Sequence, residues 1–209
     1  MSVGTSYAMA LEGVTGRVVT VECDVSRGLP GISVVGLGDT AVIQAKERIR
    51  AALGNTGMNW PGSRTVMSLS PASLPKAGAG YDLAMVLAML AAKGCSAGTK
   101  ERLASAVVVG ELGLEGDVRP VEGVLAIVLS AARQGFKQVL IPQGNAEEAA
   151  RLGSVIGPDV RVVCAVHLSE AVDWMYGGEL PTAESVAGEV KGADSDLSRT
   201  HTRVDMADV

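Results

Sequence analysis

The stretch SPASLPKAGAGYDLAMVLAMLAAKG, Ser70 to Gly94, decides how the rest of this chain is read. Its first eleven residues, Ser70 to Gly80, are a Pro/Gly/Ser loop, a density of breakers that no regular element tolerates. From Tyr81 to Ala92 the residues turn apolar nearly all round, with Leu83, Met85, Val86, Leu87, Met89 and Leu90 leaving no polar stripe. Such a helix sits at the centre of a domain. Asp82 falls in its first turn, where the positive end of the helix dipole favours an anion. A glycine-rich loop feeding a buried helix makes that junction the first place to look for chemistry.

Upstream, Tyr7–Leu11 and Arg17–Val25 alternate apolar and polar residues around Gly13 and Gly16, which predicts a β-hairpin. Gly31–Leu37 is a third strand. Asp39 or Thr40 can then cap a helix reaching about Leu53, with Val42, Ile49 and Leu53 on one side. Thr65–Leu69 is a further strand. Downstream, Ala106–Leu112 and Asp117–Pro120 read as a second hairpin, Glu122–Arg133 as a helix stopped by Gly135, and Lys137–Ile141 as a short strand. Ala146–Leu152, Val160–Cys164 and Ser169–Tyr176 continue the alternation. The expected architecture is one α+β domain over residues 1–178.

The residues after Gly178 are polar and without period, so 179–209 reads as an acidic linker leading towards a further domain. Seven acids and three bases fall in it, out of 23 and 18 in the whole chain, so the body is nearly neutral. A neutral body offers DNA no general electrostatic attraction; any contact there must be a local patch. Aromatic residues are only 3% of the chain, which counts against base stacking as a dominant mode of single-strand binding. Cys23, Cys95 and Cys164 lack metal-ligand spacing and read as three free, buried thiols. Without a signal peptide or a membrane-length apolar run, a cytoplasmic chain is expected, with no membrane partner.

Several chemistries fail on their parts. GLGDTA (Gly36–Ala41) matches a dinucleotide fingerprint, but no acid lies between Glu47 and Asp82 to hold a ribose. GISVVG (Gly31–Gly36) has phosphate-loop spacing and continues with Leu37 instead of the required lysine. This chain alone is therefore not expected to hydrolyse ATP, and it calls for no cofactor or metal. His167, the only histidine before the linker, reads as structural. A Ser-Lys dyad is the serious enzymatic option, because Ser70, Ser73 and Lys76 precede a helix N-terminus.

PKAGAGYDLAM (Pro75–Met85) resembles the loop that carries the nucleophile in Lon-type proteases, PKDGPSAG. RPVEGVLAIVLSAARQGFKQVLIPQGN (Arg119–Asn145) resembles their segment GGLKEKLLAAHRAG before a strand ending in IP. In that comparison the Lon serine falls on Gly80 and the Lon lysine on Leu125, so neither half of the dyad is present. GLPGISVVGLGDTAV (Gly28–Val42), Ser70–Gly94 and VGELGLEGDVRPVEGVLA (Val109–Ala126) are more similar still to the N-terminal domain of Mg-chelatase-like, ComM/YifB-type AAA+ proteins. That family's usual wording is GLPxFxIVGLPDxAV, NLAPADLPKEGxxFDLPIALGILAA and VGELxLDGxLRPVxGVLP. Gly38 and Ala126 each stand where its motifs carry Pro.

The resemblance implies a ribosomal-protein-S5-domain-2-like fold, shared with the Lon proteolytic domain: a mixed sheet with packed helices. It also implies a catalytically silent module ahead of an AAA+ domain, VDMADV at the C-terminus being similar to the segment before that domain. ATP and Mg²⁺ would belong to that AAA+ domain. The partners implied are identical subunits in a hexamer, and DNA engaged by the whole assembly during branch migration in natural transformation. Within this chain, Lys46, Arg48 and Arg50 on the first helix, Arg64 nearby, and Lys76 in the loop are the candidate DNA or subunit contacts. Lys46 and Arg50, one turn apart, can share a face. A solvated helix face, and a Lys76–Asp82 pair, are the plain alternatives.

Overall fold

The computed structural model describes residues 3–36 and 40–189. Strands β1 (Val3–Glu12) and β2 (Thr15–Ser26) form the expected hairpin, longer at both ends than the alternation alone suggested. They are followed by β3 (Gly31–Val35), α1 (Thr40–Asn55), β4 (Arg64–Ser70) and α2 (Asp82–Ala92). The second half runs α3 (Ala97–Ala104), β5 (Ala106–Val108), β6 (Glu111–Leu112), β7 (Val118–Arg119) and α4 (Val124–Arg133). It continues with β8 (Gln138–Pro142), α5 (Ala146–Ala150), β9 (Arg161–Ala165) and α6 (Leu168–Met175).

Seven strands form one mixed sheet in the order β3-β4-β2-β1-β5-β8-β9. The β1–β2 and β2–β4 pairs are antiparallel; the β3–β4, β1–β5, β5–β8 and β8–β9 pairs are parallel, so the sheet is mostly parallel. Two apolar clusters lie on its two faces. α1, α2, α3 and α6 contribute to one, and α4 and α5 to the other.

α2 is buried on every side, as its sequence requires. It comes close to β1 because the β1 residues pointing at it are all small: Gly4, Ser6, Ala8 and Ala10 are buried at alternate positions. Ser6 Oγ donates to the Ala84 carbonyl at 2.7 Å. A Cβ on Gly4 would run into the backbone of α2 at Ala88 and Ala92. Glycine at this position sets the helix-to-sheet distance.

Two expectations need correction. The second hairpin is only β6 with β7; Ala106–Val108 instead enters the main sheet, between β1 and β8. A three-residue strand buried on both faces carries no alternation, so its partner could not be read from pattern. The linker does not begin at 179. The Cys164 amide donates to the Pro181 carbonyl at 2.9 Å, and Thr182 bridges to Val163. Residues 183–189 are helical, and Leu180, Ala183, Val186 and Ala187 are buried. The rest of the expected linker, 190–209, lies outside the described residues.

Cys23 and Cys164 are buried, but Cys95 is only partly so. Burial pushes both Cys23 and Cys164 up to about 12, with Asp24 and Glu184 adding smaller repulsions. At pH 8 a thiol reagent should therefore titrate one cysteine quickly, Cys95, and the other two only on unfolding. Because the two folded values lie above the unfolded one, the stability they contribute is intact below about pH 8.5 and declines as pH rises towards 12. Three equally fast thiols would contradict this assignment.

Candidate functional site

The junction between the Ser70–Gly80 loop and α2 is built as a closed structural unit. β4 ends at Ser70, and the chain then turns back over itself so that Lys76 points inwards. Lys76 is 1% exposed, and its Nζ donates to the Pro71 carbonyl at 2.5 Å and the Leu74 carbonyl at 2.7 Å. Burial holds its ammonium below the ordinary lysine range. Lys76 thus pins its own loop. It neither pairs with Asp82 nor faces an outside anion, and both sequence readings of it are corrected.

For a dyad of Lys76 with Ser70 or Ser73, the Lys76 ammonium is turned to two carbonyls and to neither hydroxyl. The Ser70 hydroxyl stands 3.5 Å from that of Ser68, and Ser73 is exposed in a separate cleft with Glu12, Arg17 and Gln134. His167 is hydrogen-bonded at both ring nitrogens. Its Nδ1 accepts from the Ser169 amide at the start of α6, which leaves Nε2 to donate to the Glu115 carbonyl at 3.1 Å.

Asp82, at 0% exposure, finds its partner on α1. Arg48 Nε donates to Oδ2 at 2.6 Å and Nη2 to Oδ1 at 2.9 Å, while the Leu112 amide reaches Oδ2 at 3.2 Å. This forked pair ties α1, α2 and β6 together. Burial raises the Asp82 carboxyl above the ordinary carboxylate range, and the guanidinium and the amide pull it back. Arg48 is therefore a structural ion-pair residue, and its expected place among the DNA contacts is corrected.

Lys46 and Arg50 do share a face. They line a surface concavity of about 350 Å³ with Glu47, Pro30, Ile32 and Trp60. The Arg50 guanidinium lies 6.0 Å from the Trp60 ring centroid, a cation–π contact. Trp60 was not singled out by the sequence, although a tryptophan beside Pro61 after a helix is a legible surface signal. Arg64 is exposed at the start of β4, its Cβ close to Gly28.

The largest concavity near the loop holds about 540 Å³, within the usual range for ligand sites. Loop residues Pro75 and Ala77–Tyr81 form one wall, and Pro120, Val121, Glu122 and Ile127 the facing one, with Met9, Leu11, Val109 and Glu111 between. Gly80 stands just before α2, and a Cβ placed on it would lie 3.5 Å from Val121 Cγ1. The entry to α4 turns on Gly123, whose φ of +71° favours glycine. Leu125 is half-buried against the second apolar cluster, short of the full burial a core leucine would have. No serine, cysteine, lysine or histidine is among the residues lining this cleft.

A family model described as subunit ChlI of Mg-chelatase matches residues 21–145, from β2 through both walls of this cleft. The chain belongs to this Mg-chelatase ChlI-like family. An uncharacterized protein of Mycobacterium tuberculosis is 39% identical over 209 residues, all of this chain and 39% of that protein. YifB of Escherichia coli is 36% identical over 168 residues, 79% of this chain and 33% of YifB. Competence protein ComM of Haemophilus influenzae is 34% identical over 190 residues, 90% of this chain and 36% of ComM. A weaker match joins the ChlI-like chain to peroxisomal Lon protease homolog 2 of Caenorhabditis elegans, 28% identical over 194 residues. The chain spans about two fifths of the length of the first relatives it matches.

Proposed function

We propose that this ChlI-like chain is a non-catalytic module of a Mg-chelatase-like AAA+ ATPase, one that helps its subunits assemble and gives DNA a local contact. The reading includes a Lon-like, S5-domain-2-like lineage for the sheet, a cytoplasmic setting and a hexameric parent. The observation that carries it is the Gly80 cleft. It brings the loop and the approach to α4 face to face, Gly80 against Val121, with no serine, cysteine, lysine or histidine on either wall; Leu125, the other position of the superposition, packs on the second apolar cluster instead of lining the cleft. The Lon homolog among the relatives supports a shared lineage.

Nucleotide chemistry belongs elsewhere in such a protein. The one lysine in the glycine-rich loop is bound to carbonyls, and among the described residues no group of acids, His or Cys could hold a metal ion. No step involving ATP or Mg²⁺ is assigned to this chain's residues. No helix among those residues is long and apolar enough to cross a membrane. For DNA, Lys46, Arg50 and Arg64 remain as outward cations, with Trp60 offering a ring beside Arg50. ComM is by its name a competence protein, and a DNA role for this chain fits that relative.

The alternative, a Lon-type hydrolase with a rearranged dyad, makes the opposite prediction in one assay. A serine-reactive phosphonate is expected to leave the chain unlabelled, and the Gly80→Ser, Leu125→Lys double variant is expected to stay inactive towards peptides. Stoichiometric labelling of one serine in the unmodified chain would establish the hydrolase instead. The DNA contact is read by fluorescence anisotropy at stated salt. Lys46→Glu with Arg50→Glu should weaken binding roughly tenfold or more and flatten its salt dependence. Unchanged binding would remove this patch.

A further inference from the structure

The two ends of the β1–β2 ribbon carry complementary surfaces. At the end where β1 finishes, the Gly80 cleft combines apolar side chains (Met9, Leu11, Val109, Val121, Ile127) with polar loop backbone and the carboxylates of Glu111 and Glu122. Glu122 is exposed, and Glu111 has only a loose 3.8 Å contact with Arg119. Leu11, on its edge, is left 37% exposed. At the other end, the turn after β2 projects from the sheet: residues 27–30 are all exposed, and Leu29 is 90% exposed. Arg27 precedes that leucine by two residues, and Arg64 packs beside Gly28 at its base. A leucine this bare, flanked by a cation, matches a cleft that offers apolar side chains beside two anions.

The turn cannot reach the cleft of its own chain. Twelve residues of β2 separate the two ends, about 35 Å at strand rise. We propose that the cleft is an intersubunit socket: the Arg27–Pro30 turn of a second copy seats Leu29 between the Gly80 loop and Val121, with its Arg27 at Glu111 and Glu122. The patches differ and lie at opposite ends, so the contact is head-to-tail and repeats around a ring or along a filament instead of closing a two-fold dimer. This rests on the assembly role proposed above and names its contact surface. One turn in one cleft is a small interface, and holding a ring by such contacts depends on their repetition.

Chemical cross-linking reads such a weak contact directly. In a Cys95→Ser background, Pro30→Cys chains are mixed with Ala77→Cys chains, which leaves Leu29 and Val121 in place, and treated with a short bismaleimide. Leu11→Cys, on the same cleft, serves if Ala77→Cys folds poorly. Heterodimer should form about tenfold faster than in a mixture of Pro30→Cys with Val155→Cys, a site exposed elsewhere. A chain carrying Pro30→Cys and Ala77→Cys together should give a ladder of trimers and larger species. Glu122→Arg should slow the reaction about tenfold, and Arg27→Glu on the incoming copy should restore it. A rate equal to the Val155→Cys control overturns the socket. Sedimentation then separates the two claims. Self-association without the Pro30–Ala77 preference removes the socket and leaves the assembly role; a monomer at every concentration, without cross-linking, removes both.

Discussion

Replacing Arg48 by Met is expected to cost the chain about 3–5 kcal/mol of folding stability. The two charges of the Arg48–Asp82 pair are withdrawn from water to different degrees, with side-chain exposures of 19% and 0%. Removing the guanidinium leaves Asp82 with burial against it and only the Leu112 amide in its favour. Its carboxyl then keeps its proton to higher pH. A folded-state value above the unfolded one means that stability is intact below about pH 4 and is lost as pH rises through the folded value. The deficit of Arg48→Met should therefore be smallest in acid. Denaturant melts at pH 5 and pH 8 measure this; a deficit that grows as pH falls would show that Asp82 stays ionised without its partner. The double variant Arg48→Met with Asp82→Leu should recover much of the loss, because it removes both desolvated charges. That variant also separates a structural pair from a DNA contact, since it should leave anisotropy with DNA almost unchanged.

What could be read from the sequence follows from period. The β1–β2 hairpin and α2 were legible because alternation and all-round apolarity each fit one kind of element. The direction of Arg48 was not. Residues 46, 48 and 50 form a basic run in one dimension, but alternate positions of a helix diverge, and the carboxylate that takes Arg48 lies 34 residues onward. Lys76 misled for a related reason. A lysine in a Gly/Pro loop reads as solvated, and only the folded loop shows two carbonyls converging on it. The helix over 183–189 carried a usable signal in Ala183, Val186 and Ala187, spaced as one helical face, but the acids around them argued for a linker. For the site, the Gly80 and Leu125 positions came from likeness to a family. The cleft that joins Gly80 to Val121, and its two glutamates, required three-dimensional proximity of segments about forty residues apart.

Gly4→Ala, the smallest substitution possible at that site, is expected to be among the most damaging in the chain. The added methyl would meet the Ala88 carbonyl and the Ala92 amide nitrogen, with the Ala91 carbonyl carbon at 2.9 Å. These are backbone atoms of a helix buried on all sides, so no side chain can swing away. β1 cannot retreat either, because its other neighbours are β2 and β5 in the middle of the sheet. Relief requires α2 to lift from the small-residue stripe of β1, opening contacts along its whole length. The cost should reach or exceed the roughly 1–3 kcal/mol typical of overpacked cores. Gly54→Ala is the matched control. It lies near the end of α1, where an added Cβ meets nothing within 4 Å. There alanine should stabilise by up to about 1 kcal/mol through helix propensity and a less flexible unfolded chain. Paired thermal or denaturant melts should thus move in opposite directions for the same chemical change. If Gly4→Ala melts with the wild type, the close approach of β1 to α2 is absent. The Gly80 loop, which leads directly into α2, would then lack the rigid support on which its half of the cleft depends.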